Sequence, residues 1–89
     1  MERLRIIFKG RVQGVGFRFH SLRIATDLNL TGSVKNLYDG SVEVYVQGHT
    51  ENIDAFVREL DNQRFVRIES KDISKLEIKE NENSFEILY

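Results

Sequence analysis

The chain has 89 residues, 40% of them hydrophobic and 30% charged, with a formal net charge of −1, which describes one compact water-exposed domain over residues 1–89 and leaves no room for a second core. The absence of cysteine excludes a disulfide framework, a thiol nucleophile and a thiolate metal site. No apolar run is long enough to cross a bilayer and no secretory leader is visible, so a cytoplasmic protein without a membrane partner is expected.

The near-neutral total hides an asymmetry. Residues 1–35 carry seven Lys and Arg against two acids, and residues 36–89 carry six against twelve. This is either a local positive field that draws in a small anion or a solvated surface whose charges happen to segregate along the chain.

Taken in order, Leu4, Ile6, Phe8 and Gly10 alternate with Arg5, Ile7, Lys9 and Arg11, the period of a strand with one core face. The segment Gly10-Arg11-Val12-Gln13-Gly14-Val15-Gly16-Phe17-Arg18 follows that strand and enters a helical pattern. Glycines allow backbone N–H groups to turn toward one anion, a helix N-terminus adds partial positive charge, and Arg18 supplies a planar fork of donors for phosphoryl oxygens. Gly14 and Gly16 are the positions expected to need unusual φ angles. Phe17, Ile24, Ala25 and Leu28 then share one side of a helix over residues 17–28, with Leu22 at its margin. Phe19 points elsewhere, either as a partly exposed aromatic or as a wall for the apolar part of a substrate.

Residues 30–38 and 41–48 read as strands joined at Asp39-Gly40, a dipeptide suited to a tight hairpin. Val42, Val44 and Val46 form the clearest buried stripe. Thr50 is the expected N-cap of a helix carrying Ile53, Phe56, Val57 and Leu60 on one face. A strand over residues 73–80, with Ile73, Leu76 and Ile78 apolar, and a short terminal strand over residues 85–89 complete the chain.

The order predicts an α+β domain of the ferredoxin-like, split β-α-β kind (β-α-β-β-α-β plus a short C-terminal strand), with both helices on one face of the sheet. In that topology the first two strands run parallel with the third between them. The phosphate-cradle segment and the end of the second strand therefore emerge at one edge, where Arg18 and Asn36 can converge. Parity places Asn36 on the same face as Val34, at the rim of the core. An amide there is either a strand-ending residue bonded to backbone or a group reserved for a ligand.

The second segment, Gly32-Ser33-Val34-Lys35-Asn36-Leu37-Tyr38-Asp39-Gly40-Ser41-Val42-Glu43, together with the first and with the length and element order, resembles the acylphosphatase family over nearly the whole chain. The resemblance implies metal-independent hydrolysis of acyl phosphates to a carboxylate and inorganic phosphate. It implies that Arg18 and the backbone of Gln13, Gly14, Val15, Gly16 and Phe17 bind phosphate while Asn36 positions the attacking water. Its catalytic pair is thus Arg18 and Asn36; no cofactor or metal is implied, and the partner is a small-molecule acyl phosphate met by a monomer.

Departures from the family pattern are Ser33, where the family often has a larger aromatic residue, and Arg64-Phe65-Val66-Arg67-Ile68-Glu69, which replaces a proline-bearing segment and predicts a different loop. His20 and His49 lack a third ligand for a metal, and Asp39 and Glu43 would repel phosphate. Tyr89 could bring a carboxylate to Arg18 if the last strand lies beside the second. Three rivals share the topology. An RNA-binding module would need its aromatics on a central strand, a metal chaperone would need cysteines, and a regulatory small-molecule-binding domain stays open, since topology alone does not assign function.

Overall fold

The computed structural model describes residues 1–89. Its elements are β1 (Glu2–Arg11), α1 (Phe17–Asp27), β2 (Thr31–Asn36), β3 (Val42–Gly48), α2 (Thr50–Asp61), β4 (Arg67–Leu76) and β5 (Phe85–Leu88). The strands form one sheet in the order β4-β1-β3-β2-β5. Antiparallel pairing of β3 with both β1 and β2 makes those two parallel in direction, as expected, and β5 joins β2 in parallel.

Alternation along each strand separates the two faces. Ile6 and Phe8 of β1, Val34 of β2 and Val42, Val44 and Val46 of β3 are fully buried and share one cluster with Phe17, Ile24 and Ala25 of α1 and Ile53, Phe56 and Leu60 of α2. Both helices therefore cover the same face. Side chains of this kind gain about 1.5–3 kcal/mol each on burial, so the valine stripe and its helical partners are what fix the strand register. A one-residue slip would turn all three valines outward.

The opposite face is polar and explains much of the charge asymmetry. Arg5 Nε donates to Glu43 Oε2 at 2.9 Å, with Nη2 2.8 Å from the same oxygen, and Arg3 Nη1 lies 2.8 Å from Glu82 Oε1. Two of the basic residues in the first third of the chain are thus neutralised by acids from later in it.

The Arg3 contact belongs to a larger clamp. Strands β4 and β5 are opposite edges of the sheet, so residues 77–84 must pass across its width. Thr31 Oγ1 donates to Glu82 Oε1 at 2.8 Å, Lys79 N donates to Gln47 Oε1 at 2.8 Å, and Gln47 Nε2 donates to Lys79 O at 3.0 Å. These bonds seat the crossing segment on the ends of β1, β2 and β3 and deliver β5 beside β2.

Four details differ from expectation. The fourth strand runs Arg67–Leu76 rather than over residues 73–80, because it is an edge strand whose extent follows β1 and not its own apolar residues; Ile73 and Ile78 are 54% and 44% exposed. Half of the segment expected as a loop, Arg67-Ile68-Glu69, is strand. The hairpin is wider than a two-residue turn. Leu37 N donates to Ser41 O at 2.9 Å and Gly40 N to Leu37 O at 3.3 Å, and Asp39 Oδ1 accepts from both the N–H and the hydroxyl of Ser41. Finally, His49 and not Thr50 precedes α2, and it offers its backbone carbonyl, not a side chain, to Asn52 and Ile53.

The Ser41 hydrogen bonds hold the Asp39 carboxyl below its ordinary 3.8. A depressed acid stabilises the folded chain above the unfolded value and loses that contribution as pH falls through the folded one. The hairpin is therefore expected to loosen only below the ordinary carboxylate range, and Asp39→Asn should flatten that acid limb. Amide exchange of Ser41 followed against pH reads this directly.

Candidate active site

The segment between β1 and α1 alternates anchors with glycines. Val12 and Phe17 are buried, with the Phe17 ring centroid 5.2 Å from that of Phe8, and Val15 packs against the core as well. Gly14 and Gly16 between them take φ of 73° and 77°, left-handed values that cost an ordinary residue energy and glycine almost none. With the apolar side chains turned inward, the backbone is what the loop presents outward.

That backbone is rich in uncommitted donors. None of the N–H groups of residues 13–19 donates to a protein acceptor; the first bond of the helix start is His20 N to Gly16 O at 3.0 Å. Helix α1 has no side-chain cap and no acid in its first turn, so neither its orphan N–H groups nor its positive dipole end is answered from within. Such a terminus favours an anion.

Two contacts bring the distant site residues to this loop. Gln13 Nε2 donates to Leu37 O at 2.8 Å and to Ser41 O at 2.9 Å, which ties the loop to the hairpin that follows Asn36. On the other side the Arg18 guanidinium lies 5.0 Å from the ring centroid of Tyr89, and Tyr89 follows Leu88, the register partner of Lys35. Arg18 and Asn36 thus lie at the same end of the sheet, Arg18 against Tyr89 and Asn36 next to the Lys35 that pairs with Leu88. Gly14, Val15, Gly16 and Phe17 complete that edge.

Asn36 is paired with Val42 in the β2–β3 register, and its Oδ1 is buried without a hydrogen-bond partner, the single such side-chain atom in the molecule. Leaving a buried carbonyl unpaired costs about 1–3 kcal/mol. The alternative raised by the sequence, a strand-ending amide bonded to backbone, is not what Oδ1 does; the turn is held by Asp39 instead.

The other polar residues are accounted for. Glu43 is engaged with Arg5. His20 packs its ring against Gly16, with Nε2 3.5 Å from the position a Cβ would occupy, and burial with the nearby Arg23 charge lowers its pKa from 6.5, which disfavours the imidazolium. Phe19 is 67% exposed and lines a groove of about 540 Å³ on the outer side of α1 with Leu22, Arg23 and Thr26. With Phe17 in the core and Phe19 on a helix, neither aromatic stands on a central strand as RNA stacking would need. No three His, Asp or Glu side chains form a metal-type cluster.

Two features were not read from the sequence. Gln13 was assigned only its backbone, yet its side chain is the brace between loop and hairpin; the signal was a lone amide with two donors amid glycine and valine. The last strand does lie beside the second, the condition under which Tyr89 could bring a carboxylate to Arg18, but it is the Tyr89 ring that meets the guanidinium, and the ion pairs of the molecule are Arg3–Glu82 and Arg5–Glu43. An exposed cation over a ring is worth about 0.5–1 kcal/mol, enough to bias Arg18 without neutralising it.

The Gln13 brace yields a test. Gln13→Ala removes one of the two hydrogen bonds accepted by each of the Leu37 and Ser41 carbonyls, leaving the turn's own backbone bonds, and should cost about 1–2 kcal/mol of unfolding free energy while lowering turnover. Thermal melts beside steady-state kinetics measure the two effects.

Known proteins share this sequence pattern and fold. The sequence model of the family described as Acylphosphatase matches residues 4–87. The chain is 41% identical over 90 residues to an acylphosphatase of Clostridium acetobutylicum, covering 100% of this chain and 99% of that protein, and 39% identical over 90 residues to one of Archaeoglobus fulgidus, covering 100% of each. The crystal structure of acylphosphatase from Bacillus subtilis superposes with a TM-score of 0.92 at 36% identity, covering 100% of both chains. On its sequence from end to end and on the sheet, helices and loop that the sequence builds, the chain belongs to the acylphosphatase family.

Proposed function

We propose that this hydrolase cleaves acyl phosphates by seating the phosphate in the loop of residues 13–17, gripping it with Arg18 and aiming a water at phosphorus with Asn36. The observation that carries the reading is a mismatch at one edge of the sheet. A row of backbone donors without acceptors lies at the same end as a buried acceptor without a donor, Asn36 Oδ1. A phosphate oxygen array answers the first, and a water hydrogen answers the second once a small rotation of the amide brings Oδ1 out to the rim.

The chemistry suits these modest groups. The leaving group is a carboxylate, a weak base that needs no strong acid to protonate it. In the loose transition state of phosphoryl transfer, charge spreads over the equatorial oxygens, where fixed N–H donors and one guanidinium stabilise it. The reaction asks for neither a metal nor a covalent nucleophile. An amide is a poor base, so Asn36 orients the water and does not deprotonate it.

The same reading has residues 1–89 act as a single domain and a monomer in the cytoplasm, on a free small molecule, with no cofactor, nucleic acid or membrane partner. The test is hydrolysis of benzoyl phosphate followed in the ultraviolet without added metal, beside p-nitrophenyl phosphate as a monoester control. Selective loss of benzoyl phosphate is expected. Equal hydrolysis of both, or hydrolysis of neither, would contradict the reading.

A further inference from the structure

In-line displacement at phosphorus fixes where the rest of the substrate must go. The attacking water and the leaving carboxylate stand on opposite sides of the phosphorus, so the acyl portion lies away from Asn36. Asn36 shares the helix-covered face of β2 with Val34, which is fully buried. Water therefore reaches the anion from the sheet side of the α1 N-terminus, and the acyl group extends over the outer side of that first turn.

One large apolar side chain stands there. Helix α1 buries Phe17, Ser21, Ile24 and Ala25, and Phe19 lies about 200° around the helix from Phe17, facing away from the sheet and 67% exposed. Leu22 and Thr26 follow three and seven residues later and continue the same strip. With His20, Arg23 and Asp27 they line a groove of about 540 Å³ whose surface is mostly apolar.

The groove begins at the phosphate end of the helix. Phe19 is the third residue of α1, about 3 Å along the axis from the first, and its own N–H is among the donors left free at the helix start. Helical side chains lean toward the N-terminus, which carries the ring back over that turn. His20 makes the physical connection, because it lines the groove and also packs its ring on Gly16 of the loop.

The chemistry of the lining names the occupant. Arg23 Nη2 donates to Gln63 Oε1 at 3.3 Å and lies 3.4 Å from His20 Nδ1, so its guanidinium is held toward the end of α2. Asp27 stands at the far end of the groove, about 12 Å along the helix from Phe19, where it disfavours a second negative charge on the substrate. What remains is the Phe19 and Leu22 surface, suited to an uncharged hydrocarbon group.

We propose that Phe19, flanked by Leu22, holds the acyl portion of the substrate, so that the preferred substrates are acyl phosphates whose acyl group is bulky, apolar and uncharged. The proposal rests on the acyl phosphate reading above. It adds a specificity-determining residue to a site whose loop, Arg18 and Asn36 meet only phosphate and water and would otherwise treat every acyl group alike.

The experiment compares kcat/KM for benzoyl phosphate and acetyl phosphate in the full chain and in Phe19→Ala. Intrinsic reactivity cancels when the ratio of the two substrates is compared between proteins. Phe19→Ala should lower the ratio of benzoyl to acetyl phosphate by about 3- to 10-fold, through KM, in line with loss of one aromatic pair. Because the ring is exposed, the variant should melt close to the parent. A second arm needs no variant to fold. In the unmodified chain KM should fall about twofold per added methylene from acetyl to butanoyl to hexanoyl phosphate, since an open groove buries each methylene only in part. A ratio that falls less than threefold, with both substrates losing alike, or a KM indifferent to chain length overturns the subsite. If the unmodified chain hydrolyses these acyl phosphates while the ratio stays flat, only the subsite falls. If it hydrolyses none of them, the catalytic reading fails and this proposal with it.

Discussion

Arg18→Ala is expected to lower kcat/KM for benzoyl phosphate by about 100- to 1000-fold while leaving the fold intact. Removing one donor from a preorganised oxyanion site costs about 2.7–4 kcal/mol of transition-state stabilisation, and Arg18 is the charged donor at an edge otherwise furnished with neutral N–H groups. It has no carboxylate partner to compete for its charge. What holds it is the Tyr89 ring at 5.0 Å, a contact that leaves every guanidinium N–H free for oxygen. Arg18→Lys should recover little of the loss, because an ammonium is a point charge and cannot present two parallel donors to a phosphoryl group. Since Arg18 forms no internal hydrogen bond, both variants should melt close to the parent. A large loss of stability in step with activity would place Arg18 in the scaffold and not in the reaction.

Asn36→Ala separates the second role from the first. Turnover should be all but abolished, whereas inhibition by inorganic phosphate should be nearly unchanged, because the loop and Arg18 still grip the anion. Stability supplies a second readout. The parent chain tolerates a buried, unpartnered Oδ1 at a cost of about 1–3 kcal/mol, so truncating the side chain to a methyl removes that penalty along with some packing. The variant should be at least as stable as the parent, a pattern typical of residues retained for function at the expense of the fold. If Asn36 merely closed the strand, the variant would melt earlier and keep its activity. Comparable losses in turnover and phosphate affinity would contradict the division of labour between Asn36 and Arg18.

How much of this was legible before the structure depended on whether local pattern and tertiary context agreed. Strands β1 and β3, with Ile6, Phe8 and the Val42, Val44, Val46 stripe, announce themselves because each residue's period matches its burial. Helix α2 does so through Ile53, Phe56 and Leu60. Strand β4 did not, because an edge strand with eight successive exposed residues carries no alternation to read; its position is dictated by the free hydrogen-bonding edge of β1. The apolar residues taken as its marks, Ile73 and Ile78, mislead for the same reason. Single-residue errors at the hairpin and at Thr50 reflect a different limit: the choice between a tight turn and a wider one hung on the Asp39 bonds to Ser41, which composition permits but does not require.

The site divides along the same line. Gly14 and Gly16 could be expected to adopt positive φ because glycine between anchored apolar residues has few other uses. The placement of Asn36 near the loop followed from topology and parity. What pattern could not supply were long-range side-chain contacts: the Gln13 bonds to Leu37 and Ser41 and the stacking of Arg18 on Tyr89 join residues 24 or more positions apart in sequence, and nothing local announces them. The unpaired Oδ1 of Asn36 is likewise a property of the assembled rim and not of the strand that carries it.

A crystal structure with bound phosphate or sulfate tests the central claim most directly, since it examines loop, arginine and asparagine at once. The account predicts the anion at the N-terminus of α1, its oxygens about 2.7–3.1 Å from the loop N–H groups and from the Arg18 guanidinium, with Asn36 Oδ1 joined to it through one ordered water. An anion bound elsewhere on the molecule, or one held by the loop with Asn36 too far away to share a water with it, would contradict the account.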